Sequence, residues 1–247
     1  MSRADPRPRA LIALTNRDRD ENGTPTGAWA AEFAHCYGPL HSLGLTVDLT
    51  TPRGGKVPID PTSARRLFYD AETRAVMDDP AIANALANTA AAADLDPAHY
   101  ALIYFTGGHG ALWDFAEDGP LARLAEGVYA NGGIVSAVCH GVAGLLPLRS
   151  EDGRPLIAGK RVTGYSTPEE WLAGKRHAVP YLLAPELRER GAQYERSWLP
   201  FVSHTVRDER LTTGQNPQST KALAQLNVDL LRAGVAGRLA LATRPGP

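Results

Sequence analysis

The apolar run Ile134, Val135, Ser136, Ala137, Val138 ends abruptly in Cys139-His140-Gly141. The run is too short for a core helix and fits a strand buried on both faces. A second apolar stretch, reaching Leu146, follows the cysteine with no room for a loop. Strand, one reactive side chain and helix in immediate succession predict a nucleophile elbow, the sharp turn that lifts a single side chain above a parallel sheet. Gly141 suits such a turn because a side chain there would clash. A thiol at this point faces the positive end of the following helix, which is expected to favour the thiolate. The plain alternative is a small buried hydrophobe, and the abruptness of the turn argues against it.

The same alternation recurs along the chain. Residues 9–14 and 45–49 read as strands. Between them a helix is expected over 28–43, with Trp29, Phe33, Tyr37 and Leu40 at helical spacing and Gly44 as its stop. A strand over 101–106 ends in Gly107-Gly108-His109-Gly110, whose glycines let backbone N–H groups approach a ligand closely. A helix over 119–129 leads into the strand at 134–138. Residues 63–99 are rich in alanine and read as one or two helices broken at Asp78-Asp79-Pro80, within a cap or insertion over 52–99. Weaker strands are expected over 161–163 and 201–206, helices over 168–174, 180–191 and 217–231, and a frayed tail over 233–247. Strands alternating with helices predict an α/β fold with a parallel sheet covered on both faces, as one domain over 1–247. Its chemistry belongs at the carboxyl ends of the strands.

The charge balance removes whole classes of partner. The chain has 247 residues, 26 of them basic and 27 acidic, for a net charge of −1. No basic stripe is available to displace counterions, so no nucleic-acid partner is expected. No apolar run approaches the length of about 18 residues that a transmembrane helix needs, so no membrane partner is expected. The first residues are polar, carry Pro6 and Pro8, and lack the apolar stretch of a secretory signal, which leads to the expectation of a cytoplasmic protein. Two cysteines, Cys36 and Cys139, exclude a disulfide framework and a four-cysteine zinc site. No histidine–carboxylate ligand cluster stands out, and no metal is expected. Cys36 lies on the first helix and reads as packing.

Further segments complete a pattern: Thr24-Pro25-Thr26-Gly27 through Glu32, Gly107 through Asp114, Ala137-Val138-Cys139-His140-Gly141, Val162-Thr163-Gly164-Tyr165, Glu169-Glu170, and Thr213 through Ser219. In this order, over residues 9–233, they resemble the DJ-1/ThiJ/PfpI superfamily and, within it, the Hsp31-like glutathione-independent glyoxalases. The resemblance implies a flavodoxin-like three-layer α/β sandwich of the class I glutamine amidotransferase type, a homodimer, and no organic cofactor. It implies that Cys139 is the nucleophile, His140 the histidine and Glu170 the acid of a Cys-His-acid triad, with Glu169 the rival if the register slips by one. Glu32 would hydrogen-bond the sulfur, as an acid kept neutral in an apolar site. Gly108 and the backbone of His140 would supply oxyanion donors. His109 and Trp113 are pocket-lining candidates, and Gln215 and Asn216 read as builders of loop structure.

The resemblance further implies conversion of methylglyoxal or a related 2-oxoaldehyde, a small-molecule aldehyde, to a 2-hydroxy acid through a hemithioacetal on Cys139. Isocyanide hydratase, amidase and deglycase chemistry begin with the same thiolate and stay open. A class I glutaminase would place His-x-Glu late in the chain, where this sequence has His204-Thr205-Val206. A holdase chaperone, or a redox sensor working through Cys139, is the non-enzymatic alternative. Trp171, beside Glu170, is expected to shape the pocket.

Overall fold

The short apolar runs become strands of one sheet. The computed structural model describes residues 9–116 and 119–242. In chain order it contains β1 (Arg9–Ala13), α1 (Ala30–Ser42), β2 (Thr46–Thr51), α2 (Ala71–Met77), α3 (Pro80–Ala87), β3 (Ala90–Ala91), β4 (Tyr100–Phe105), α4 (Ala111–Asp114), α5 (Gly119–Ala130) and β5 (Ile134–Val138). Then come β6 (Arg161–Val162), α6 (Thr167–Leu172), α7 (Leu183–Glu189), β7 (Gln193–Tyr194), β8 (Thr205–Asp208), β9 (Leu211–Gly214) and α8 (Thr220–Ala242).

The main sheet has the order β3-β2-β1-β4-β5-β9-β8. Every neighbouring pair is parallel except β8 with β9. The fold is thus the expected flavodoxin-like α/β arrangement with a mostly parallel sheet. Strand β5 is buried along its whole length, as a strand covered by helices on both faces must be. Helix α5 packs against β4 and β5, while α8 packs against β5, β9 and α1. The chain leaves β1 toward β2 on one side and returns to β4 on the other. That reversal opens a crevice at the carboxyl ends of the strands.

Four expectations change. Strand β9 is absent from the sequence reading because Leu211-Thr212-Thr213-Gly214 looks polar. All four residues are buried, and their hydroxyls are paired: Thr212 donates to Asn227 Oδ1 at 2.8 Å, and Thr213 Oγ1 accepts the Thr163 N–H at 2.9 Å. The expected strand at 201–206 is displaced to β8, which closes an antiparallel hairpin with β9. The segment over 63–99 holds two helices, as anticipated, but also β3, which pairs with β2 at the sheet edge. Helix α8 continues through the expected tail to Ala242, in keeping with a stretch rich in alanine and leucine, both strong helix formers. Residues 1–8, which carry the reading of the chain start, and 243–247, the last part of the expected tail, lie outside the described residues. Among the described residues no helix is long and apolar enough to cross a membrane.

Candidate active site

The turn after β5 is strained and tightly seated. Cys139 has φ +56°, a left-handed conformation that costs a residue with a side chain roughly 1–3 kcal/mol and persists only where the surroundings enforce it. The enforcement comes from the neighbouring strand. A Cβ on Gly141 would strike the carbonyl oxygen of Phe105 and lie 2.7 Å from the carbonyl carbon of Thr106. The chain therefore presses onto the end of β4 at the point where Cys139 is presented. It continues as a 3-10 helix, Cys139–Leu145, with every residue buried.

The thiol has a histidine beside it and an acid behind that. Cys139 Sγ lies 3.4 Å from His140 Nδ1, and His140 Nε2 lies 2.7 Å from Glu170 Oε2. His140 and His109, through charge and hydrogen bonds, outweigh the effect of burial and hold the Glu170 carboxyl well below the usual carboxylate range. An ionised carboxylate only accepts hydrogen bonds. His140 must therefore carry its proton on Nε2, which leaves the lone pair of Nδ1 facing the thiol. Burial, together with His109, lowers the proton affinity of His140, so the imidazole is neutral and able to act as a base. Tyr165 covers one face of the ring, with centroids 4.2 Å apart. His109 packs against the ring with the same 4.2 Å separation and donates through Nε2 to Glu170 Oε1 at 2.9 Å.

Glu32 reaches the sulfur from α1. Its side chain is fully buried, and Oε2 accepts the Gly107 N–H at 2.8 Å. Burial pushes its carboxyl up to about 8, against the opposing pull of Cys139 and the Gly107 amide. Among the described residues Oε1 has no hydrogen-bond partner besides the Cys139 thiol that the carboxyl faces. A buried polar atom with only a nucleophile beside it calls for an explanation, and a neutral acid waiting to donate a proton provides one. Gly107 permits this contact: a Cβ there would strike Glu32 Oε2 and lie 2.8 Å from Cys139 Cβ. Gly108, at φ +104°, is pressed against the carbonyl of Gly27 and lies near the amide of Trp29.

The expected thiolate is corrected. Burial pushes the Cys139 thiol well up, and the His140 backbone amide opposes this only in part. Cys139 is 3% exposed, and the short 3-10 helix after it does not outweigh that burial. The resting group is a thiol, with His140 Nδ1 placed to take its proton. Cys36 is also buried and its thiol also raised, by burial alone.

The two neighbouring acids of α6 separate cleanly. Glu169 closes a capping box with Ser166. Its Oε1 accepts from Gln215 Nε2, Asn216 Nδ2 and the Phe201 amide at 3.0, 2.7 and 2.8 Å. Glu169 thus ties three loops together, and Gln215 and Asn216 take the loop-building place expected of them. Glu170, one position on, faces the histidines. Trp171 is 57% exposed, and its ring lies under Arg176. Trp113 and His109 line a small polar cavity of about 10 Å³ with Asp20, Thr26, Asp60 and Lys175.

The absence of a histidine–carboxylate cluster, read from the sequence, is also corrected. The fold gathers His109, His140 and Glu170, and separately His35, Asp70 and Glu72, with ligand atoms within 4.8 Å of one another. Their positions are too far apart in the chain to form a spacing motif. In the first group the carboxylate oxygens already accept hydrogen bonds from both imidazoles. In the second, Lys221 Nζ lies 3.1 Å from Asp70 and 2.7 Å from Glu72 and supplies the positive charge. The link between His109 and Glu170, and the ring of Tyr165 over His140, had no signal in the sequence beyond the Gly-Gly-His-Gly and Gly-Tyr segments themselves.

Comparisons with known proteins agree with this architecture. The chain is 32% identical over 226 residues to Glyoxalase 3 of Candida albicans, covering 88% of this chain and 95% of that protein. It is 29% identical over 235 residues to a glutathione-independent glyoxalase of Saccharomyces cerevisiae, covering 91% and 98%. Among solved structures, the Rapid Encystment Protein of Francisella tularensis matches with a TM-score of 0.85 at 31% identity, covering 90% of this chain and 97% of that one. The crystal structure of glyoxalase III from Candida albicans matches at 0.82 and 30% identity, covering 90% and 96%. The DJ-1/PfpI family pattern spans residues 32–230, from the buried acid of α1 past the turn at Cys139 and into α8, and the chain belongs to that family.

Proposed function

We propose that this chain is a glutathione-independent glyoxalase that converts methylglyoxal or a related 2-oxoaldehyde to the 2-hydroxy acid. The observation that carries the reading is the placement of two proton-handling groups about one thiol. The neutral base His140 lies at 3.4 Å, and the acid Glu32, fully buried beside the sulfur with its carboxyl pushed up to about 8, holds a proton to give. Isomerising an oxoaldehyde needs both, because a proton must leave one carbon while another reaches oxygen.

His140 takes the thiol proton as Cys139 attacks the aldehyde carbon, and a carbon–sulfur bond forms. The aldehyde oxygen gains the electron pair. The amides of Gly108 and His140 are its donors, and the thiol proton passes to it from His140, which is then neutral again. His140 removes the proton from the former aldehyde carbon while Glu32 protonates the neighbouring carbonyl oxygen to give an enediol, and His140 then delivers its proton to that neighbouring carbon as the first hydroxyl returns a proton to Glu32. The first carbon is oxidised to the thioester level and the second is reduced to the alcohol, so no external oxidant or reductant enters. Water cleaves the thioester, releases the 2-hydroxy acid and restores the thiol. Glu170 holds His140 in the tautomer that each proton transfer requires.

The test is lactate formation from methylglyoxal by the purified protein without glutathione, run beside an isocyanide and a simple amide. Lactate formation with the other two untouched is expected. Turnover of the isocyanide or the amide without lactate would replace the glyoxalase reading with a hydratase or amidase. Sedimentation velocity addresses the homodimer expected from the family.

A further inference from the structure

Glu170 serves two imidazoles, while the mechanism above uses one. His140 Nε2 and His109 Nε2 approach its two oxygens at 2.7 and 2.9 Å, and the two rings lie 4.2 Å apart. One buried carboxylate balances one positive charge, so the trio is neutral when it holds a single extra proton. The two rings offer unequal places for it. The side chain of His140 is 2% exposed and that of His109 16%, and desolvation penalises a charge more in the deeper site.

The surroundings point the same way. His140 is faced by the Cys139 thiol on its own segment, by the rings of Tyr165 and His109, each 4.2 Å away, and by Glu170 of α6, with Glu169 beside it on that helix. Glu32 lies beyond the sulfur. His109 instead borders the small cavity that holds Asp20 and Asp60, two acids against one lysine, Lys175.

We propose that His109 is a positioning residue of this site, one that takes the first extra proton bound by the trio and so keeps His140 the neutral base facing Cys139. This rests on the reading of His140 as the base for Cys139. The direction in which His109 acts on His140 agrees, because a charge there lowers the proton affinity of its neighbour. Sharing Glu170 works in the same sense, since each imidazole receives only part of the carboxylate.

Side-chain nitrogen NMR of the histidines across pH, in wild type and His109→Gln, tests the proposal. Glutamine keeps an N–H donor within reach of Glu170 but does not titrate. In wild type His109 should charge at higher pH than His140. In His109→Gln the charging of His140 should move up by about one pH unit, and the acid limb of kcat/KM for methylglyoxal should move up with it. His140 charging first in wild type, or titrating unchanged in the variant, overturns the proposal, and so does an acid limb that stays in place while lactate is formed. If wild type forms no lactate, the glyoxalase reading fails, while the order of charging still decides the role of His109. That order in wild type also decides it if the variant does not fold.

Discussion

Cys36 and Cys139 are equally hidden from solvent, and burial raises both thiols. Cys36 sits in the middle of α1 within the apolar core and has burial as the whole cause of its shift. Cys139 sits at a strained turn, with a histidine nitrogen, a neutral acid and a backbone amide directed at its sulfur. Burial therefore does not separate an inert thiol from a reactive one. The difference lies in what can take the proton away, and that is set by the elbow and by Glu170 behind His140.

The largest way to break this comparison, short of removing Cys139, is to remove the acid. Glu170→Gln should lower kcat/KM by about 10²- to 10⁴-fold with little change in melting temperature, because it disturbs the tautomer and charge of His140. Glu169→Gln should do the reverse, lowering the melting temperature more than turnover, since it weakens a carboxylate that joins three loops. Equal effects of the two on both measurements would end the distinction between them. Gly141→Ala should destabilise the fold by about 2–4 kcal/mol in denaturant titration, because its Cβ meets backbone that no rotamer can move. A variant as stable as wild type would mean that the elbow is not clamped by β4.

Glu32 yields a prediction in pH. Its carboxyl titrates near 4.5 ordinarily and near 8 in the fold. Between those values the unfolded chain loses a proton that the folded chain keeps, so this group's contribution makes stability fall as pH rises. Glu32→Gln removes that slope. Its melting temperature should gain on wild type from pH 5 to 8 and level off above. A constant difference across that range would mean that Glu32 is ionised in the fold. The smallest effect belongs to Cys36→Ala, which should leave turnover unchanged and cost about 1 kcal/mol of stability from the small void it opens.

Much of this arrangement is legible in the residues. The strand–Cys–His–Gly succession points to the elbow because only a tight turn joins a buried strand to an apolar stretch without a loop. Glu32, amid alanines and Phe33, stands out as an acid on an apolar helix face. Other features depend on long-range pairing that local pattern does not carry. The threonines of β9 read as surface until Asn227 and the amide of Thr163 are brought to them. His109 reads as a loop residue until α6 places Glu170 against it. The raised thiol has a related reason: the helix end is visible in the sequence, but the depth of burial at Cys139 is not.

The most direct test of the account is the rate of lactate formation from methylglyoxal by Cys139→Ala beside Cys36→Ala, with both variants first shown to melt cooperatively. The account predicts that Cys139→Ala falls to the rate of the buffer while Cys36→Ala matches wild type. Turnover by Cys139→Ala at the wild-type rate would contradict it.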